Sequence, residues 1–199
     1  MPHRFQCTCG RVAGEILQPR LGMRAACYCH DCQAYAHLLQ RAEQVLDAAG
    51  GTDVVATPAS NVVISAGRDH LACVSLSPRG LLRWYAACCG TPIANTPRDW
   101  KLPYVGLVHT CLRQPDPLEQ SFPQVAMRVN TKSAHGAVPR DASLAGKLRF
   151  LRMVMRLTGM RLTGAYRTTP LFSQSGEPVA APRVAGREEV EAARRAAAA

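Results

Sequence analysis

The chain has 199 residues, of which 47% are hydrophobic and 19% charged, a composition that is typical of a globular protein and excludes a wholly disordered chain. Its length fits one domain with an appendage or two small domains, and its net charge of +10 favours anionic partners. No apolar run approaches the roughly 18 residues that cross a bilayer, and the N-terminus lacks a secretory apolar region, so we expect a cytoplasmic protein without a membrane span.

The first two thirds of the chain predict a mainly β fold of short antiparallel strands. Residues 4–16 are typical of two strands joined at Gly10, and a series of short β-type runs follows from Asp53 to Ala94. A further strand is predicted over 104–112. Between these regions, residues 33–49 show helical periodicity that ends at a glycine pair.

The last third predicts a helix and then a tail. Residues 141–158 form an amphipathic pattern, with Asp141 or Ser143 as N-cap and Gly159 just past the end. The surrounding segment, 128–168, is strongly basic, with nine Lys or Arg residues and one acidic residue. From residue 173 the chain has little to bury, and we expect a flexible tail. The predicted units are a β-rich domain over 1–140, the basic helix and its extension over 141–172, and a disordered tail over 173–199.

Cysteines give the strongest chemical signal. Nine occur in a chain without an export signal, and seven of them are clustered, which favours metal ligands or catalytic thiols over a disulfide framework. The two isolated ones, Cys73 and Cys111, lie in β-type runs and are predicted to be small buried hydrophobes. The clustered ones are Cys7, Cys9, Cys27, Cys29, Cys32, Cys88 and Cys89.

The spacing of the seven clustered cysteines predicts two zinc sites. Residues i and i+2 of a strand project from one face, so each C-x-C pair aims two sulfurs at one ion. Cys27, Cys29 and Cys32 have no fourth cysteine nearby, as in an open catalytic site. His30 or Asp31 completing that site is the alternative.

The second predicted site joins distant parts of the chain and is structural. Cys7 and Cys9 would meet the adjacent pair Cys88 and Cys89, so an ion there would contribute directly to folding. Adjacent side chains of a strand point to opposite faces, so both members of that pair can bind one ion only if the backbone turns there. Otherwise the site has three thiolates and water, or Cys88 is a core residue.

The ordered motifs C-x-C-G, C-x-C-x-x-C and aromatic-x-x-x-Cys-Gly-Thr resemble those of the glutathione-dependent formaldehyde-activating enzyme family, which includes centromere protein V. The resemblance covers residues 4 to about 113 and implies a zinc-stapled β-tent with one structural and one catalytic zinc. By position, Cys7, Cys9 and Cys89 resemble structural ligands, and the triad Cys27, Cys29 and Cys32 resembles the catalytic one. Ala86 departs from the pattern, because the family has a cysteine there.

Together these features predict a zinc-dependent carbon-sulfur lyase that acts on a small thiol adduct of the glutathione type, as the resemblance implies. A general base is not assigned: His30, His37, His109 and Asp31 are candidates by residue type. The alternative is a non-catalytic zinc-scaffolded module whose basic helix contacts nucleic acid or an acidic partner. A third reading is a zinc-stapled domain without activity.

Overall fold

The computed structural model describes residues 1–139 and 144–198. Helical residues, with short 3-10 helices included, account for 35% of the structure and strands for 29%. The described ranges contain eleven strands and six α-helices. The fold is therefore mixed, and the prediction of a mainly β protein is only partly supported. No helix in the described ranges is both long enough and apolar enough to cross a membrane.

The strands are short, as the frequent turn residues in the sequence predict. They are β1 (His3–Gln6), β2 (Ala13–Ile16), β3 (Met23–Cys27), β4 (Thr52–Pro58), β5 (Val62–Ala66), β6 (Leu71–Ser75), β7 (Leu82–Ala86), β8 (Thr91–Thr96), β9 (Tyr104–Val108), β10 (Met127–Val129) and β11 (Pro182–Val184).

The helices range from one turn to more than five. They are α1 (His30–Leu38), α2 (Ala42–Val45), α3 (His109–Leu112), α4 (Leu118–Ser121), α5 (Leu144–Thr163) and α6 (Arg187–Ala198).

Two sheets organise the molecule. The smaller has the antiparallel order β1-β2-β5, and the larger has the order β10-β3-β4-β9-β8-β7-β6-β11. Its central strands are antiparallel as predicted, whereas β10 and β11 add in parallel at the two edges. The largest buried cluster joins Phe5 and Ile16 of the small sheet to Trp84 and Leu107 of the large one. The interface between the sheets is therefore the main core.

The helical segment predicted over 33–49 is divided in two. α1 begins earlier, at His30, and ends at Leu38, and α2 starts at Ala42. Gln40 between them has a left-handed backbone, with φ of 55°, which a continuous right-handed helix does not allow. Sequence periodicity does not reveal this break because apolar residues recur on both sides of it.

The basic helix α5 runs from Leu144 to Thr163, five residues beyond the predicted end. Gly159 lies inside the helix, and the left-handed residue that ends it is Gly164, with φ of 79°. The predicted N-caps Asp141 and Ser143 lie outside the described residues.

The segment predicted to be a flexible tail contains β11 and α6, which corrects that expectation. β11 pairs with β6, and α6 buries Val190 and Ala193 in a cluster with Ala34 and Tyr35 of α1. Small alanines let the helix approach α1 closely. Because alanine has little apolar side-chain surface, the sequence of α6 gave little sign of this contact. α6 is thereby positioned beside the first turn of α1.

Candidate metal centre

Four thiols from distant parts of the chain form one group, which we call the four-thiol cluster: Cys7, Cys9, Cys88 and Cys89. All four sulfurs lie within 4.8 Å of one another. Individual Sγ–Sγ distances are 3.5 Å for Cys7–Cys9, 3.3 Å for Cys9–Cys88, 3.9 Å for Cys7–Cys88 and 3.9 Å for Cys88–Cys89. A tetrahedral zinc with bonds of about 2.3 Å places its sulfurs about 3.8 Å apart. The four donors thus fit one tetrahedral ion.

A turn between β7 and β8 brings the two adjacent cysteines to the same side. β7 ends at Ala86, whose carbonyl accepts hydrogen bonds from the N–H groups of Cys89 (3.2 Å) and Gly90 (2.8 Å). Gly90 has φ of 69°, a left-handed conformation that glycine adopts without strain. The backbone leaves strand geometry here, so both Cys88 and Cys89 reach the cluster.

The thiols of this cluster differ in acidity. Burial opposes ionisation of Cys89, but hydrogen bonds from the Thr8 and Thr91 hydroxyls outweigh it and lower the Cys89 pKa to about 5. The Thr91 hydroxyl lies 3.0 Å from that sulfur. Burial raises the pKa of Cys7, and burial with hydrogen bonds to Cys9 and Cys7 raises that of Cys88 to about 12. One thiolate is therefore present before any metal binds.

Three further sulfurs meet at the start of α1 and form the three-thiol cluster: Cys27, Cys29 and Cys32. They lie within 4.8 Å of one another. Cys27 ends β3, Cys29 is the N-cap of α1, and its sulfur accepts a hydrogen bond of 3.4 Å from the Cys32 N–H. A helix N-terminus favours negative charge, which suits thiolates. Within the described ranges neither His30 nor Asp31 joins the group, so it offers three donors.

A buried arginine accompanies the three-thiol cluster. Arg83 of β7 is 3% exposed, and its Nη1 donates to the Cys32 sulfur at 3.8 Å and to Asn95 Oδ1 at 3.3 Å. Its guanidinium lies 5.1 Å from the centre of the Tyr35 ring. No carboxylate in the described part of the chain pairs with it. A buried cation without a carboxylate partner needs another anion nearby, and the three-thiol cluster, once ionised, is positioned to provide it.

Hydrogen bonds localise negative charge within this cluster. Those from Cys29 and Cys32 lower the pKa of Cys27 to about 2, assisted by Asn130, whose amide donates to the Cys27 sulfur at 3.5 Å. The same sulfur contacts with Cys27 and Cys29, together with burial, raise the pKa of Cys32 well above its usual value, which Arg83 opposes. Cys27 is accordingly the first thiolate of the group.

An open cleft of about 740 Å³, which we call the thiol cleft, borders this cluster at Cys29. The buried Gln33 fixes its floor by donating to the Tyr28 carbonyl at 3.0 Å and to the Ser133 carbonyl at 2.9 Å. Cationic and titratable side chains surround it. The residues that line the cleft are Cys29, His30, Asp31, Gln33, Lys132, Ser133, Ala134, His135, Arg194, Ala197 and Ala198.

The family of the chain follows from a match to a family model. DUF6151, described as a family of unknown function, matches residues 3–182. The chain belongs to this family. No curated protein matches it. Among solved structures, a crystal structure of a Rhodobacter sphaeroides protein is similar, with 16% identity and a TM-score of 0.43 over 63% of this chain and 99% of that one.

Most of the thiol cleft lies within the DUF6151 match, but one wall lies outside it. The match ends at residue 182, and α6 contributes Arg194, Ala197 and Ala198 to the lining. Arg194 bonds Asp31 of α1 at 3.0 Å. Sequence reasoning missed this wall because it assigned the segment to a flexible tail.

Two of the four candidate bases lie in the thiol cleft. His30 and Asp31 line the thiol cleft, whereas His37 and His109 do not. His109 is 5% exposed and lies 3.0 Å through Nδ1 from the Asp53 carbonyl, and burial lowers its pKa. His135, which the sequence does not single out, lies in the cleft 3.2 Å from Gln33 Oε1.

The isolated cysteines are core residues, as predicted. Cys73 is 3% exposed and Cys111 is fully buried. Burial raises the pKa of Cys73 to about 11 and also raises that of Cys111. All nine cysteines are free thiols.

Proposed function

We propose that the four-thiol cluster holds a structural zinc ion. Its donors join the turn after β1 to the turn after β7, so an ion there cross-links the small sheet to the large one. The sulfur spacings support this, because they match the edges of a tetrahedral thiolate site. Nine free thiols suit a reducing compartment, and we propose the cytoplasm.

At the three-thiol cluster we propose a second zinc ion with an exchangeable position. When bound, it would supply a Lewis acid and a place for a substrate sulfur. Three thiolates on a divalent cation leave one excess negative charge, and the buried Arg83 offsets it. Asn130 and the N-terminus of α1 would orient and stabilise the thiolates.

The proposed reaction is that of a carbon-sulfur lyase acting on a small thiol adduct of the glutathione type. In the condensing direction, the substrate S–H adds across an aldehyde C=O: a carbon-sulfur bond forms, and the proton passes to the carbonyl oxygen. Cleavage is the reverse, and neither direction needs an oxidant. The resemblance to formaldehyde-activating enzymes supports this reading.

Residues of the thiol cleft have matching roles in the proposal. Lys132 and Arg194 would receive the carboxylates of an acidic thiol. His30 and His135 are the histidines that can take the thiol proton and return it to the carbonyl oxygen. The observation on which the proposal rests is the juxtaposition of three thiols, a buried arginine that donates to one of them, and an open cleft.

Cobalt substitution tests the exchangeable position directly. Protein with Co²⁺ in place of zinc is titrated with glutathione, and the visible absorption bands are followed. We expect the bands of the three-thiol site to change on addition of the thiol and those of the four-thiol site to stay constant. The Cys27→Ser variant should lose the responsive bands, whereas Cys111→Ala, which removes a thiol outside both clusters, should keep them. Bands that never respond to thiols would contradict the proposed substrate class.

A further inference from the structure

Helix α5 turns its most apolar side to solvent. Five large apolar residues repeat at spacings of three, four and seven, so they share one face of the helix. We call this face the outer stripe, and its exposures are 80% for Leu144, 43% for Leu148, 52% for Leu151, 57% for Met155 and 82% for Leu162.

A different face attaches α5 to the protein. Met153 and Leu157 are 7% and 8% exposed and form a buried cluster with Met23 of β3. At 100° per residue, Met153 lies opposite Leu144 and Leu162. The outer stripe therefore points away from the body of the protein and is not the face that attaches the helix to it.

The charges of α5 have one sign. Leu144–Thr163 contains Lys147, Arg149, Arg152, Arg156 and Arg161 and no acidic residue. Arg161 bonds Asp99 at 2.7 Å. None of the other four pairs with a carboxylate within the described ranges.

Three of these arginines line a second cleft of about 740 Å³, the arginine cleft, on one flank of the outer stripe. Arg149, Arg152 and Arg156 line it together with Arg20. Arg24 also lines this cleft, but it is paired with Asp53 at 2.7 Å. The flank thus offers several cationic donors beside an exposed apolar surface.

We propose that α5 binds the surface of an anionic bilayer. The outer stripe would enter the boundary between headgroups and acyl chains, and the arginine cleft would bind headgroup phosphates. A helix with large apolar residues on one side, five basic residues and no acidic residue has the composition of an interfacial helix. This inference does not depend on the proposed zinc chemistry.

Charge and polarity favour a bilayer over the other occupants. Nucleic acid would satisfy the arginines but leave the outer stripe in contact with water or a polar backbone. A symmetric second copy would cover the stripe but bring two cationic helices together. An anionic bilayer satisfies both features.

Vesicle flotation of the full-length, zinc-loaded protein tests the proposal. Vesicles of phosphatidylcholine alone are compared with vesicles that contain phosphatidylserine. We expect binding to the anionic vesicles that weakens with added salt. The triple variant Arg149→Gln/Arg152→Gln/Arg156→Gln should lower the partition coefficient on the order of a hundredfold. The double variant Leu151→Ser/Met155→Ser should lower it on the order of tenfold or more.

A matched control removes three exposed arginines elsewhere, as Arg11→Gln/Arg68→Gln/Arg79→Gln. It has the same net charge as the α5 triple variant, and we expect it to bind anionic vesicles nearly as well as wild type. Circular dichroism and zinc content confirm that each variant is folded. Equal losses in both triple variants, a Leu151→Ser/Met155→Ser protein that binds like wild type, or no binding to anionic vesicles would each overturn the proposal. The proposal would also be overturned if α5 were needed for DNA binding or for self-association but not for vesicle binding.

Discussion

Arg83 Nη1 lies 3.8 Å from the sulfur of Cys32. No carboxylate among the described residues pairs with this guanidinium. The arginine is 3% exposed, so its charge has little contact with water. A protein interior accepts such a cation when an anion is close. This contact ties the charge of the three-thiol cluster to the fold of the large sheet.

Replacing Arg83 with methionine should weaken metal binding at the three-thiol cluster. Loss of the cation raises the pKa values of the thiols, so protons compete with the metal more strongly. We expect about a 10- to 100-fold loss of zinc affinity at this site. The pH midpoint of metal release should move upward, and Arg83→Lys should restore part of the difference. Competition with a coloured chelator measures both quantities.

The control for this prediction is Arg24→Met. It removes another largely buried arginine, one whose partner is the carboxylate of Asp53. Stability should fall, while affinity at the three-thiol cluster should stay near wild type. Equal loss of affinity in both variants would mean that Arg83 acts only through the fold.

The two clusters should differ in their effect on stability. Cys89→Ser removes a ligand that links two distant turns, and we expect a loss of at least about 3 kcal/mol, or about 6–12 °C in Tm. Cys27→Ser removes a ligand from a local site and should change Tm less. Thermal unfolding followed by circular dichroism gives both values. A larger effect of Cys27→Ser would reverse the assignment of structural and open sites.

Thiol acidity predicts an order of alkylation in metal-free protein. The pKa values of Cys27 and Cys89 are lowered to about 2 and about 5, so both are thiolates at neutral pH and remain so as the pH falls to 6. The Cys88 pKa, raised to about 12, and the raised pKa of Cys32 keep those groups protonated. Iodoacetamide reacts with thiolates, so mass spectrometry at pH 6 should find Cys27 and Cys89 labelled first. Early labelling of Cys88 would contradict this order.

The packing of α6 against α1 predicts that a charge introduced at Val190 will detach this helix from the protein. Val190 is 6% exposed in the cluster with α1, so Val190→Asp should detach the helix at a cost of about 2 kcal/mol or more. Amide hydrogen exchange in α6 should accelerate, and an acidic ligand should bind more weakly because Arg194 leaves the thiol cleft. Ala192→Asp introduces the same group at an exposed position and should leave both measurements nearly unchanged.

Sequence spacing was sufficient to group the seven clustered cysteines. A C-x-C pair or a C-x-C-x-x-C run has few geometries, so local spacing constrains where the sulfurs point. The adjacent pair Cys88 and Cys89 needed a turn, and Gly90 in the following position is the signal that makes one possible. The sequence does not show whether β7 ends before or after that pair, because the end of β7 is set by its pairing with β8.

Other features depended on contacts between distant residues. Arg83 interrupts an apolar strand, but only the packing of α1 over β7 shows that it is buried beside Cys32. Helix α6 has too little apolar surface to predict its own docking, because its partner α1 supplies much of the cluster. By contrast, α5 could be identified from periodicity alone, although its exposed outer stripe could not.

The central claim is that each chain holds two zinc ions in separable sites. Elemental analysis of zinc per chain, on wild type, Cys27→Ser and Cys89→Ser purified without chelator, tests it most directly. We expect two zinc ions in wild type, one in a folded Cys27→Ser protein, and loss of the structural zinc with reduced stability in Cys89→Ser. One zinc or none in wild type, or the loss of both from Cys27→Ser, would contradict the account.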